Sequence, residues 1–306
     1  MTFLLAIMAS IAVICVAVWW PRSAWATPSG DQVGELQFGG LLRTYVVHAP
    51  LGGGRPSGLV VALHGGGGTG RSEAELTHYS DVADAHGFVV VYPDGVDKNW
   101  ADGRGASEPD RRGIDDVGFI TALADKLVHD YGIDPGRVFA TGMSNGGFMA
   151  NRLGCDRADV FAAIAPVAGT LGVDVACHPT RPVAVMATHG TADPIVPFNG
   201  GTMIGRGGRS DIVSATDLAS RWRELDACPG APGETVLPGG DEGTEVHQFT
   251  AAECASGTAV EFMQVDNGGH TWPGGSQYLP KAVIGATTHA FDAADAGWQF
   301  FDAHAR

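Results

Sequence analysis

The chain predicts an α/β fold, a mostly parallel central sheet flanked by helices in a single domain. Three observations predict it. Apolar strand-like runs alternate with helix-like runs through the middle of the chain, as βαβ units require. Several of those runs, 59–63 and 88–92 among them, are continuously apolar, the pattern of strands covered on both faces. The chain has 306 residues, and the roughly 280 that follow an N-terminal leader suit one large α/β domain better than two small ones.

Taken in order, residues 35–38 and 41–48 predict an antiparallel pair turning at Gly39-Gly40. The strand 59–63 ends in His64-Gly65-Gly66-Gly67-Gly68. A helix over 72–85 leads to the strand 88–92, which Pro93-Asp94-Gly95 stops. Residues 97–113 are polar and contain glycine, which predicts a surface loop with Trp100 as its conspicuous apolar member. Asp115 or Asp116 caps the next helix, whose Val117, Ile120, Leu123, Ala124, Leu127 and Tyr131 share one face. Asp134-Pro135-Gly136 turns into the strand 137–141, and 160–167 and 183–187 supply two more. Residues 200–208 predict a glycine-rich loop, 213–225 a helix, 260–265 the last strand and 287–305 a closing amphipathic helix.

Residues 1–26 predict a secretory signal peptide: an apolar run from Phe3 to Trp20, then Pro21, then Ala24-Trp25-Ala26 as a cleavage signal before Thr27. Cleavage there leaves 27–306 as the mature domain, secreted or periplasmic. No Lys or Arg precedes the run and Arg22 follows it, so an uncleaved anchor is the alternative. Cys155, Cys177, Cys228 and Cys254 remain, an even number in an exported chain with no C-x-x-C, which favours two disulfides over metal or redox chemistry. Three pairings are open; Cys155 with Cys177 and Cys228 with Cys254 is preferred because each closes a local loop. The net charge of −15 opposes nucleic acid and anionic membranes as partners, and solubility is its simplest account.

The chemistry centres on Gly142-Met143-Ser144-Asn145-Gly146-Gly147, which follows a strand-like run and precedes a helix-compatible one. In a strand–turn–helix context this is a nucleophile elbow: the turn exposes the serine oxygen, and small flanking residues tolerate a strained backbone. Taken alone the motif is weak in a chain with 45 glycines. A serine nucleophile also needs a base, a carboxylate to orient that base, and N–H donors for the oxyanion. Asp193, in His189-Gly190-Thr191-Ala192-Asp193, follows a strand, where open α/β sheets place their sites. His270 lies in a glycine-dense loop after the last strand; its rivals His247, His289 and His304 sit in a strand-like run or the closing helix. The order Ser144, Asp193, His270 is that expected of α/β hydrolases. His64-Gly65-Gly66-Gly67-Gly68 has the position of an oxyanion turn, with Gly66, Gly65 and Asn145 as donors, rather than of a phosphate loop, since no Gly-Lys-Ser/Thr follows. His64 supports that turn by hydrogen bonding, and no spaced second ligand suggests a metal. Trp272 and Trp100 are candidates for lining a substrate pocket beside the triad. Asp115 and Asp116 suit a helix start better than a paired acid and base.

Together Leu63-His64-Gly65-Gly66, Tyr92-Pro93-Asp94-Gly95, Asp115-Asp116-Val117-Gly118-Phe119, the Ser144 elbow, His189-Gly190-Thr191-Ala192-Asp193 and Gly269-His270-Thr271-Trp272-Pro273-Gly274 resemble the polyhydroxybutyrate depolymerase and feruloyl esterase family, over residues 35–304. The resemblance implies an α/β-hydrolase fold, secretion, and carboxylic ester hydrolysis by Ser144, Asp193 and His270 through an acyl-enzyme, with no cofactor. Some depolymerases of this group carry Cys where Gly66 stands, and no linker or separate binding module tethers the chain to solid polymer. The expected substrates are therefore small or oligomeric esters, of the hydroxybutyrate, feruloyl or aryl kind, with no obligate protein partner. An acetyl-xylan-type esterase, a same-fold peptidase and an inactive binding protein are the alternatives.

Overall fold

The computed structural model describes residues 30–52 and 54–306; residues 1–26, predicted to be a signal peptide, lie outside the described residues. Ten strands form one sheet, in the order β1-β2-β4-β3-β5-β6-β7-β12-β11-β10. They are β1 (Gly30–Phe38), β2 (Leu41–Ala49), β3 (Leu59–Leu63), β4 (Val89–Pro93), β5 (Val138–Met143), β6 (Ala163–Val167), β7 (Ala184–Gly190), β10 (Gly233–Leu237), β11 (Glu245–Ala251) and β12 (Val260–Asp266). The six from β4 through β12 are parallel, and an antiparallel pair flanks them at each edge. Two further strands, β8 (Gly201–Gly205) and β9 (Gly208–Ile212), make a separate hairpin.

Along β3, Leu59, Val61 and Leu63 enter one apolar layer while Val60 and Ala62 enter the other, so the continuously apolar run feeds two cores. The first layer is closed by α4 (Asp116–Tyr131), α5 (Asn145–Asp156) and α6 (Ala215–Leu225), through Phe119, Leu123, Met149, Leu153 and Trp222. The second is closed by α1 (Gly70–Thr77), α2 (Tyr79–His86) and α8 (Ala293–Ala303), where Trp298 stacks on Phe88 at 3.9 Å and Phe301 on Phe139 at 4.8 Å. Short helices α3 (Glu108–Arg111) and α7 (Lys281–Ile284) lie in loops. Both disulfides pair as preferred, Cys155–Cys177 and Cys228–Cys254.

Several expectations change. The single helix over 72–85 is two, broken at His78, whose φ of +54° lets both the Glu73–Thr77 face and the Tyr79–Ala83 face turn inward. Residues 200–208 are largely hairpin rather than loop, with Met203, Ser210 and Ile212 buried against exposed neighbours. The closing helix starts only at Ala293, capped by Asp292. The preceding backbone is spent elsewhere: the carbonyls of Ala286 and Thr288 accept from Gly269 and Gly274, which anchors the His270 loop. Strands β10 and β11 extend the sheet beyond β12, so the last strand in sequence is not its edge.

Candidate active site

Ser144, Asp193 and His270 all follow strands of the parallel set. Ser144 joins β5 to α5 with φ +57° and ψ −119°, a conformation that costs about 1–3 kcal/mol in a non-glycine residue and persists only where the surroundings impose it. Two clamps impose it here: the Ser144 N–H donates to the Val167 carbonyl at 2.9 Å, and its own carbonyl accepts from Phe148 at 2.9 Å. The turn passes so close to β3 that a Cβ at Gly146 would lie 1.9 Å from the Leu63 carbonyl oxygen. Glycine is required there for space, whatever its dihedrals.

His270 Nδ1 donates to Asp193 Oδ2 at 2.8 Å, and both side chains are buried. The other Asp193 oxygen accepts the Ile195 and Val196 N–H groups at 2.8 Å each, which fixes the carboxylate without a cation. His270 is held in turn: its N–H donates to Ile284 O at 2.6 Å, and Tyr278 Oη donates to its carbonyl at 2.9 Å. Burial pushes the Tyr278 hydroxyl well above its ordinary range, so it stays a donor. Ser144 and His270 line one cleft of about 710 Å³, with Gly65, Gly66, Asn145, Phe148, Ile195 and Tyr278 among its walls.

The turn after β3 closes over Ser144. A Cβ on Gly65 would sit 3.5 Å from the Ser144 Cβ, and one on Gly66 3.9 Å from the Asn145 Cβ. Gly67 and Gly68 spend their N–H groups on the carbonyls of Lys98 and Gly65, whereas among the described residues those of Gly66 and Asn145 have no protein acceptor. His64 braces the turn: Gly95 N–H donates to its Nε2 at 2.9 Å, so the proton on Nδ1 goes to the Gly65 carbonyl at 2.8 Å. Burial lowers its pKa, favouring this neutral form.

Neither tryptophan lines the cleft. Trp100 is fully buried behind the turn, packed at a tilt against His64 with ring centroids 4.8 Å apart and donating from Nε1 to the His64 carbonyl. Trp272 points into the second core beside Tyr79, because the loop that carries His270 reverses direction after it. The loop 97–113 correspondingly turns inward rather than lying on the surface. The Asn145 amide bridges Trp100 N–H (2.7 Å) and Asp102 (2.6 Å), and buried Arg104 ties Asp102 to Ser210 of the β8–β9 hairpin. Asp115 caps α4, while Asp116 pairs with Arg43 at 2.8 Å and accepts from Ala101. His247, His289 and His304 bind Glu234, Asp241 and the Phe300 carbonyl, away from the cleft.

Sequence reasoning missed Asp102, Arg104 and Tyr278, whose roles depend on loops meeting in space. It also gave no role to His189, although that residue opens the Asp193 motif. His189 is fully buried, donates to the Val196 carbonyl at 2.9 Å, and so holds the turn that wraps Asp193.

A mostly parallel sheet with a strained serine turn, and an acid and a histidine joined after later strands, defines an α/β hydrolase. The family model for Esterase PHB depolymerase matches residues 44–242. The Nocardia uniformis subsp. tsuyamanensis protein named "Putative esterase NocK" is 34% identical over 283 residues, covering 87% of this chain and 81% of that one. The chain therefore belongs to the PHB depolymerase esterase family and is a carboxylic ester hydrolase. Feruloyl esterase B of Piromyces equi is 28% identical over 74% of this chain, which spans only 42% of that protein. Among solved structures, acetyl xylan esterase from Aspergillus awamori superposes with a TM-score of 0.57 at 15% identity, covering 89% of this chain and 99% of that one, a likeness of fold.

Proposed function

We propose that the chain is an exported serine esterase that cleaves small or oligomeric esters, of the 3-hydroxybutyrate or the feruloyl and aryl kind, through an acyl-enzyme. The observation that carries the reading is the 2.8 Å bond between His270 Nδ1 and Asp193 Oδ2 at the cleft that Ser144 also lines. With Nδ1 committed to Asp193, His270 Nε2 is the ring nitrogen left to act as base. Ser144 Oγ attacks the ester carbonyl and His270 takes its proton, then returns it to the leaving alkoxide; Asp193 holds the imidazole and stabilises its cation. The N–H groups of Gly66 and Asn145 receive the oxyanion. Gly65, which precedes Gly66 in the same turn and abuts Ser144, is the third candidate donor. Water then releases the acid.

Ser144→Ala is expected to lower kcat/KM by roughly 10⁴-fold or more without unfolding the chain. Wild-type turnover surviving in that variant would overturn the assignment. Product analysis on feruloyl, acetyl, p-nitrophenyl and 3-hydroxybutyrate esters sorts the substrate class. The two disulfides support export; N-terminal sequencing of the mature protein is expected to begin at Thr27.

A further inference from the structure

Among the described residues, one carboxyl lines the catalytic cleft, and the mechanism does not use it. Glu73, on the inner face of α1, is 2% exposed and shares the wall with Gly65, Ser72, Leu76 and Tyr278. No cation pairs with it among the described residues, and its Oε1 is buried without any hydrogen-bond partner. Thr77, one turn on, bonds the Glu73 backbone carbonyl and leaves the side chain alone. A leucine or methionine would fill this position with no polar group to desolvate. As a purely structural residue Glu73 is therefore a liability, whereas a group that completes its hydrogen bonds from the cleft would remove the cost.

The chemistry of that group follows from the carboxyl. Burial pushes the Glu73 pKa well above the usual carboxylate range, with the Gly65 N–H drawing it back. A neutral carboxylic acid offers one O–H donor and a carbonyl acceptor, the pairing that a hydroxyl completes from both sides. The other charged groups lining the cleft are Arg104, bound to Asp102, and Arg206; their sign opposes an ammonium-bearing substrate. The position is close to the reaction, because Glu73 lines the same cleft as Ser144 and Gly65, and Gly65 abuts Ser144. We propose that Glu73 is a specificity-determining residue that receives a hydroxyl carried by the ester substrate within a few bonds of its scissile carbonyl. The proposal rests on the esterase reading of Ser144.

The test compares p-nitrophenyl 2-hydroxybutyrate and 3-hydroxybutyrate with the matched 2-methylbutyrate and 3-methylbutyrate esters, which replace hydroxyl by methyl at nearly the same volume. In the wild type, kcat/KM for one hydroxyl ester is expected to exceed that for its methyl partner by about tenfold, the worth of one neutral hydrogen bond. Glu73→Leu should abolish or reverse that ratio, whatever the absolute rates. Glu73→Gln, which keeps a donor and an acceptor in the same shape, should hold it within about threefold of wild type, and it serves if the leucine variant fails to fold. A ratio near one for both wild-type pairs, or the wild-type ratio persisting in Glu73→Leu, overturns the proposal. Failure of the folded wild type on all four esters would overturn the esterase reading instead.

Discussion

At the scale of single residues, burial shifts the protonation of several groups that surround the site, among them His64, His189, Glu73 and Tyr278. His64, which both accepts and donates, and His189, which donates to the Val196 carbonyl, are both buried braces, and burial lowers both pKa values. The unfolded chain then binds more protons than the folded one below about pH 6.5, so their contribution is complete above that pH and is lost as pH falls. Replacing His189 by Gln, which keeps a donor for the Val196 carbonyl, is expected to flatten the acid-side fall in unfolding free energy. The change amounts to at most about 1.4 kcal/mol per pH unit. Urea titrations at pH 5, 6 and 7 read it directly, and an unaltered slope would remove His189 from the account. At this scale the three residues proposed as the triad could be picked out, because each sits in a glycine-marked motif after a strand. The supporting shell was not: Asp102 and Arg104 look like ordinary polar loop residues until Asn145 and Ser210 come within reach of them.

Elements carry the next level of constraint. The elbow works only because β5, α5 and β3 approach to backbone contact, and Gly146 is where they touch. Gly146→Ala has no place for its methyl and is expected to cost more than about 3 kcal/mol, or to prevent folding. Gly39→Ala, in an open turn, is the comparison; positive φ there confines its cost to about 1 kcal/mol. Denaturant midpoints of the two variants would settle the difference. The disulfides act at the same level, closing loops with separations of 22 and 26 residues. Removing either pair as a double Cys→Ser variant should cost about 2–4 kcal/mol by releasing loop entropy in the unfolded chain. Losing the Cys155–Cys177 pair at the end of α5 should lower the thermal midpoint by several degrees. Element positions were readable where apolar period and turn residues agreed, as in β3 and α4. They were misread where a tertiary contact overrode the local pattern, as at His78 and across 286–292.

The whole molecule is a two-layered sandwich of helices around a sheet that ends in antiparallel pairs, and its stability responds to pH in two opposed ways. Against the buried histidines stands Asp226, fully buried, whose carboxyl burial raises to about 6. Folding therefore binds a proton there between about pH 4 and pH 6, and stability falls as pH rises through that window. Asp226→Asn keeps the acceptor for the Val183 N–H. It should stabilise the protein by about 2 kcal/mol more at pH 8 than at pH 4. Thermal midpoints of the variant and wild type across that range provide the check, and a constant offset would exclude the mechanism.

The sequence by itself determined the fold class and the order of the candidate motifs, and it favoured the local cysteine pairs. Each is a consequence of short-range facts: apolar runs of strand length, glycines at turns, and loops short enough for their ends to meet. Only the tertiary structure decided which side chains face the cleft. Trp100 and Trp272, large and apolar, were drawn into the two cores. Glu73, which no motif in the sequence marks, was carried to the cleft wall by the packing of α1 on the sheet. Burial belongs to the packed molecule, and no residue's composition or spacing records it.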